Sequence, residues 1–89
     1  MIKLIKFGAK WCAPCKKYDP ILDKYQENNP ADEVIRVDID DSPELAKRYN
    51  VQTVPYTVIY VNDDIVGGFK GAVTLRKLEE VVSQYRKGL

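Results

Sequence analysis

The sequence predicts an α/β domain of order β-α-β-α-β-β-α, with a four-stranded mixed sheet and helices on both faces. Three observations carry that expectation. Runs rich in β-branched and aromatic residues alternate with helix-period apolar spacing through the first half of the chain. Two further strand-like runs lie on either side of a cluster of turn residues, as in a hairpin. At 89 residues, 45% apolar and 30% charged, the chain has room for a single core, so one domain spanning residues 1–89 is expected.

Ile2 to Phe7 reads as the first strand, and Gly8-Ala9-Lys10 leads from it into Trp11-Cys12-Ala13-Pro14-Cys15-Lys16. From Cys15 onward, Tyr18, Ile21, Leu22 and Tyr25 fall at i, i+3, i+4 and i+7, one face of a helix running to about Asn28 that Pro20 should kink. After the break at Asn29-Pro30-Ala31-Asp32, Val34 to Ile39 is a second strand with Ile35, Val37 and Ile39 on one face. Its connection to the first strand through a helix makes the two parallel. Asp41-Ser42-Pro43-Glu44 starts a short helix ending near Asn50, capped either by Asp41 with Glu44 three residues on, or by Ser42 with Pro43 at the first helical position. Tyr56 to Val61 and Ile65 to Phe69, separated by Asn62-Asp63-Asp64, form the antiparallel hairpin. Thr74 caps the last helix, whose buried face is Leu75, Leu78, Val81, Val82 and Tyr85.

Fourteen Lys and Arg against thirteen Asp and Glu leave a net charge of +1, so no strong overall field points to nucleic acid or to an anionic membrane. The opening Ile2-Lys3-Leu4-Ile5-Lys6-Phe7 is too short and too interrupted by lysine for a signal sequence or a membrane span, which makes a cytoplasmic location the expectation.

The chemistry concentrates at the two cysteines. Cys12 and Cys15 are three residues apart, so a bridge between them closes almost no loop and adds little stability as a staple. Its value should be chemical. Dithiol exchange needs one accessible, partly ionised thiol and a second that can attack the mixed disulfide. A helix start gives the first thiol free backbone N–H groups and the positive end of the dipole, worth up to ~2 kcal/mol in favourable geometry. Lys10, Lys16 and Lys17 push in the same direction, weakened by salt. Cys15, one turn in, should be covered and act as the resolving thiol, while Pro14 stiffens the intervening dipeptide. Two other readings compete. A closed zinc site needs about four ligands, and with two Cys and no His only an intersubunit site stays open. An inert buried pair would leave the flanking Trp11 and Lys16 without a role.

Trp11 to Lys16 resembles the thioredoxin motif Trp-Cys-Gly-Pro-Cys-Lys, with Ala13 in place of Gly. Pro20-Ile21-Leu22-Asp23, Val37-Asp38-Ile39-Asp40, Val51-Gln52-Thr53-Val54-Pro55 and Gly71-Ala72 are similar to further thioredoxin segments, in order and with compatible spacing. The resemblance implies a thioredoxin fold in its pared-down four-stranded form, close in size to glutaredoxins and to small phage or archaeal thioredoxins. It implies that Cys12 and Cys15 are catalytic and that Ala13, Pro14 and Lys16 tune the couple. By the same resemblance Pro55 is cis, and Trp11, Thr53, Val54, Pro55, Gly71 and Ala72 receive an extended substrate polypeptide.

Three positions depart from the family. Lys6 stands where thioredoxins carry a buried aspartate thought to move the proton of the second cysteine. Sharing a strand face with Ile2 and Leu4, it should, if buried, pair with a carboxylate such as Asp38 or lose its proton, and otherwise snorkel at the strand end. A charged Lys6 near Cys15 would favour the reduced thiolate and make the couple more oxidising than in usual thioredoxins. Gly8 replaces a second Trp, and Lys70 replaces an apolar residue beside the substrate groove, which suggests acidic substrate segments.

The function expected is reduction of protein disulfides, with no metal or organic cofactor required. The partners are disulfide-containing proteins and an electron-donating reductase, by resemblance thioredoxin reductase, and the chain is expected to be a monomer. Two alternatives stay in view. Thr53-Val54-Pro55 and Gly67-Gly68 are similar to the glutathione-holding loop and Gly-Gly turn of glutaredoxins, although Phe69-Lys70 follows the glycines where acidic residues would stand. A non-catalytic binding module on the same fold would leave the thiols incidental.

Overall fold

Strand β1 (Ile2–Gly8) lies at the centre of the sheet, and nearly every residue in it is buried because both of its faces are covered. The computed structural model describes residues 1–87. After β1 come α1 (Ala13–Asn28), β2 (Glu33–Asp38), α2 (Pro43–Arg48), β3 (Tyr56–Val61), β4 (Asp64–Lys70) and α3 (Leu75–Arg86). The strand order is β2-β1-β3-β4, with β1 parallel to β2 and antiparallel to β3, and β3 antiparallel to β4. The α/β order and the four-stranded mixed sheet are those expected from the sequence.

Alternation along β1 divides the core in two. Ile2 and Leu4 point to one face, where they pack with Ile59 of β3, Tyr18, Leu22 and Tyr25 of α1, and Leu78 and Val82 of α3. Ile5 and Phe7 point to the other face and pack with Val58, Ile35 and Val37 of the sheet and with Leu45 and Tyr49 around α2. On that side the Tyr49 and Tyr60 hydroxyls share a 2.6 Å hydrogen bond. The helical spacing of Tyr18, Leu22 and Tyr25 thus serves one face, and the period-2 pattern of β2 the other.

Element ends differ from expectation by one or two residues, for local reasons. Helix α1 starts at Ala13 because Cys12 takes the capping position in extended geometry and Pro14, which lacks an N–H, falls among the first helical residues, where no intrahelical donor is needed. Pro20 stands on its solvent side. Ser42, not Asp41, precedes α2, with Pro43 first in the helix. Thr74 caps α3 by accepting a 3.1 Å bond from the Lys77 N–H.

In the hairpin, Asn62 turns the chain with φ 55°, and the register shifts between Ile59 and Tyr60, leaving Val66 as the extra residue on β4. The two glycines that follow are packing positions. A Cβ on Gly67 would run into the Tyr85 hydroxyl, and one on Gly68 would lie 2.8 Å from the Tyr56 hydroxyl oxygen and 2.9 Å from the Thr57 carbonyl oxygen.

One buried cluster ties the far end of the molecule together. Asp32, in the connection before β2, accepts a 2.6 Å bond from the Tyr25 hydroxyl and bonds at 2.5 and 3.1 Å from the Arg86 guanidinium. It is 6% exposed. Burial pushes its carboxyl up, but the hydrogen bonds from Arg86 and Tyr25 and the Arg86 charge outweigh that, and the net shift is below the ordinary aspartate value. In the sequence Asp32 reads only as part of a break, since its partners lie 7 and 54 residues away.

Candidate active site

Cys12 and Cys15 sit where β1 gives way to α1, and they form a disulfide. The cap geometry places Cys12 Sγ where it accepts a 3.2 Å hydrogen bond from the Cys15 N–H. That N–H is one of the free donors of the helix start, so the first turn presents both a hydrogen bond and its dipole to this sulfur. A thiolate at Cys12 gains more from both than a neutral thiol does.

In this oxidised form both cysteines are covered, Cys12 5% and Cys15 2% exposed, among Ala9, Ile39 and Val54. The cover over Cys12 is more complete than the accessible thiol expected. Across from it, the Val54 carbonyl oxygen is 3.8 Å from Cys12 Sγ, and the Val54–Pro55 peptide bond is cis. Ala13, Pro14, Lys16 and Lys10 all face solvent around the pair.

Trp11 is 67% exposed, and its indole N–H donates a 2.9 Å bond to Asp40, which fixes the ring beside the cysteines. With Ile39, Val51, Gln52, Thr53 and Val54 it lines a cleft of about 270 Å³. Gly71 lies beyond Pro55 and donates its N–H to the Pro55 carbonyl at 2.8 Å. Its φ of +90° is a conformation that side-chain-bearing residues rarely adopt, which is why glycine stands there. Ala72 next to it is exposed, as is Lys70. The structure therefore brings Trp11, Thr53 and Val54 to one cleft, and the Pro55–Gly71 bond holds the following loop against that segment.

Lys6 is buried, 5% exposed, on the α1 side of the sheet. Its ammonium makes a 2.8 Å bond with Asp19 of α1, not with the Asp38 named as its example partner. Asp38 is occupied elsewhere, accepting from the Asp40 and Asp41 N–H groups and so holding the turn after β2. Asp19 lies one helical turn beyond Cys15 on the helix that crosses above β1, and it also meets Arg36 Nε at 3.3 Å. Asp19 is the charged residue here that sequence reasoning missed. Its i+4 spacing from Cys15 was the available signal. Among the described residues, no group of three or more His, Cys, Asp or Glu is placed to hold a metal ion.

Comparison with known proteins agrees with this geometry. The family model described as thioredoxin matches residues 1–84. A putative thioredoxin 2 of Streptomyces coelicolor is 36% identical over 84 residues, which is 94% of this chain but 63% of that protein. A thioredoxin of Ophiophagus hannah is 34% identical over 82 residues, covering 92% of this chain and 77% of that one. Among solved structures, Fasciola hepatica thioredoxin superposes with a TM-score of 0.87 at 30% identity, over 93% of this chain and 79% of that one. Oxidised mitochondrial thioredoxin 3 of Saccharomyces cerevisiae gives 0.86 at 31% identity, over 93% and 77%.

Proposed function

The chain belongs to the thioredoxin family and carries that family's thiol–disulfide oxidoreductase chemistry at Cys12 and Cys15, and from that premise we propose how it works. It reduces disulfides of other proteins, drawing electrons from a thioredoxin reductase. The observation that carries this reading is the redox pair itself, bonded at the start of α1 with Cys12 Sγ on the backbone hydrogen bond and beside the Val54 carbonyl.

In the reducing direction the Cys12 thiolate attacks a substrate disulfide. A mixed disulfide forms, and one substrate sulfur leaves as a thiolate. The substrate segment lies in extended form along Thr53 and Val54, against Trp11 and next to Pro55, Gly71 and Ala72, so that backbone pairing positions its disulfide. Cys15 then attacks Cys12, the Cys12–Cys15 bond forms, and the second substrate thiolate departs. Ala13 and Pro14 keep the two sulfurs in reach of each other, and Lys16 adds a solvent-screened positive charge. The chain acts in electron transfer as a cytoplasmic monomer. Among the described residues, no helix is long and apolar enough to cross a membrane.

One of the two features behind the glutaredoxin alternative has another explanation. Gly67 and Gly68 are bare because Tyr85, Tyr56 and the Thr57 carbonyl crowd them within the hairpin, and this crowding explains them without a glutathione site. The discriminating experiment is insulin disulfide reduction coupled to NADPH and thioredoxin reductase, run beside the same reaction with glutathione and glutathione reductase. Turnover is expected in the first. Turnover in the glutathione system alone overturns the assignment.

A further inference from the structure

The resolving step has an unassigned requirement. Cys15 must lose a proton before it can attack, yet it is 2% exposed and the chain has no histidine. Something buried has to make its thiolate affordable.

The groups facing Cys15 come from every element around it. A cavity of about 290 Å³ opens beside the sulfur, and its charged lining is Lys6 from β1, Lys10 from the loop after it, Lys16 and Asp19 from α1, and Arg36 and Asp38 from β2. Most of these are already engaged or held in water. Arg36 is spread over Asp19 and Asp23, Asp38 accepts from its own turn, and Lys10 and Lys16 are exposed. Only Lys6 brings a charge that is itself buried, and Asp19 holds it at 2.8 Å.

Gly8 makes room for this arrangement. A Cβ at Gly8 would lie 2.8 Å from Lys6 Nζ, 3.0 Å from Lys6 Cε and 3.3 Å from Cys15 Sγ. The ammonium and the sulfur therefore border the same empty position and lie no more than about 6 Å apart, within the reach over which an opposite charge favours an ionised group.

We propose that the buried Lys6 ammonium, held by Asp19 and admitted by the bare backbone of Gly8, is the group that makes Cys15 ionise for the resolving attack. Lys6 acts by charge and takes no proton. The Cys15 proton passes to water in the adjoining cavity, the thiolate forms its bond to Cys12 Sγ, and the bond from Cys12 to the substrate sulfur breaks with its electron pair leaving on the substrate. Asp19 and Gly8 are positioning residues, and Asp19 also tempers the field. This proposal rests on Cys15 being the resolving thiol.

The test isolates Cys15 in the full chain carrying Cys12→Ser and titrates its thiolate by ultraviolet absorbance. Adding Lys6→Met, which fits a buried site, is expected to lower the thiolate fraction about tenfold at a fixed pH below the midpoint, at the low end of the effect of a nearby charge. Lys16→Met, whose charge is in water, should move the midpoint much less. Asp19→Asn keeps an oxygen for the ammonium but removes a negative charge, so its shift runs in the opposite direction to that of Lys6→Met. Gly8→Ala, which pushes the ammonium aside without removing it, should shift the midpoint in the Lys6→Met direction by less, and it serves should Lys6→Met not fold. A Lys6→Met shift no larger than that of Lys16→Met, or Lys6→Met and Asp19→Asn shifts of the same sign, overturns the proposal. Insulin reduction by the unmodified chain is a separate readout, so this failure leaves the disulfide-reductase reading standing.

Discussion

Cys12→Ser is expected to lower protein-disulfide reduction by at least ~10³-fold, since loss of a catalytic nucleophile commonly costs that much or more. The hydroxyl cannot ionise at working pH, so the backbone N–H of Cys15, which lies 3.2 Å from Cys12 Sγ, would have no anion to stabilise. The fold should be unaffected, because the substitution keeps a side-chain acceptor at the cap of α1. Turnover of insulin disulfides by the variant, beside its thermal melting, checks both parts. Full biological activity in Cys12→Ser, with insulin turnover lost, would support a binding module whose thiols are incidental.

The largest effect on stability is expected at the opposite end of the molecule. Arg86→Leu would leave the Asp32 carboxylate, whose side chain is 3% exposed, with only the Tyr25 hydroxyl as a side-chain donor. Breaking a fully buried pair costs ~3–5 kcal/mol; here the loss should be nearer ~2 kcal/mol, because part of the interaction is already screened by water. Arg86 is itself 42% exposed. For a chain of this size that lowers Tm by ~8 °C or more.

The same cluster gives stability a definite pH dependence. Asp32 is held below its ordinary value of 3.8 in the folded chain, so its contribution is complete above that range. It drains away as pH falls through the depressed folded value. Asp32→Asn should therefore flatten the acid limb of a Tm-against-pH curve while lowering the plateau near neutrality. An acid limb unchanged in Asp32→Asn would place the acid sensitivity elsewhere.

What the sequence made legible follows from how locally each feature is written. The order of elements, the cap at Thr74 and the two faces of the sheet rest on spacings of two to four residues and stand in the structure as expected, and of the two starts open for α2 the structure has Ser42, without a side-chain hydrogen bond. Cys12 at the helix start was legible for the same reason. Lys6 was legible as a charge on an apolar face, but its partner was not. Choosing Asp19 over Asp38 depends on how α1 crosses β1 and on the turn after β2 having taken Asp38 for itself. Asp32 was missed outright, because nothing in Asn29-Pro30-Ala31-Asp32 announces that Arg86 will reach it across 54 residues. The Gly67-Gly68 pair was open to two readings until the Tyr85 and Tyr56 side chains were placed against it.

The central claim is that Cys12 makes the attack and Cys15 resolves it, and one trapping measurement tests it most directly. Cys15→Ser protein, reduced and mixed with an oxidised protein substrate, should accumulate a mixed disulfide that mass spectrometry of the digested complex locates at Cys12. The reciprocal Cys12→Ser protein should trap little, since it is Cys12 whose Sγ lies 3.8 Å from the Val54 carbonyl of the cleft, while Cys15 lines the Lys6 cavity. A substrate linked to Cys15 in the Cys12→Ser protein, with none linked to Cys12 in the Cys15→Ser protein, would contradict the account.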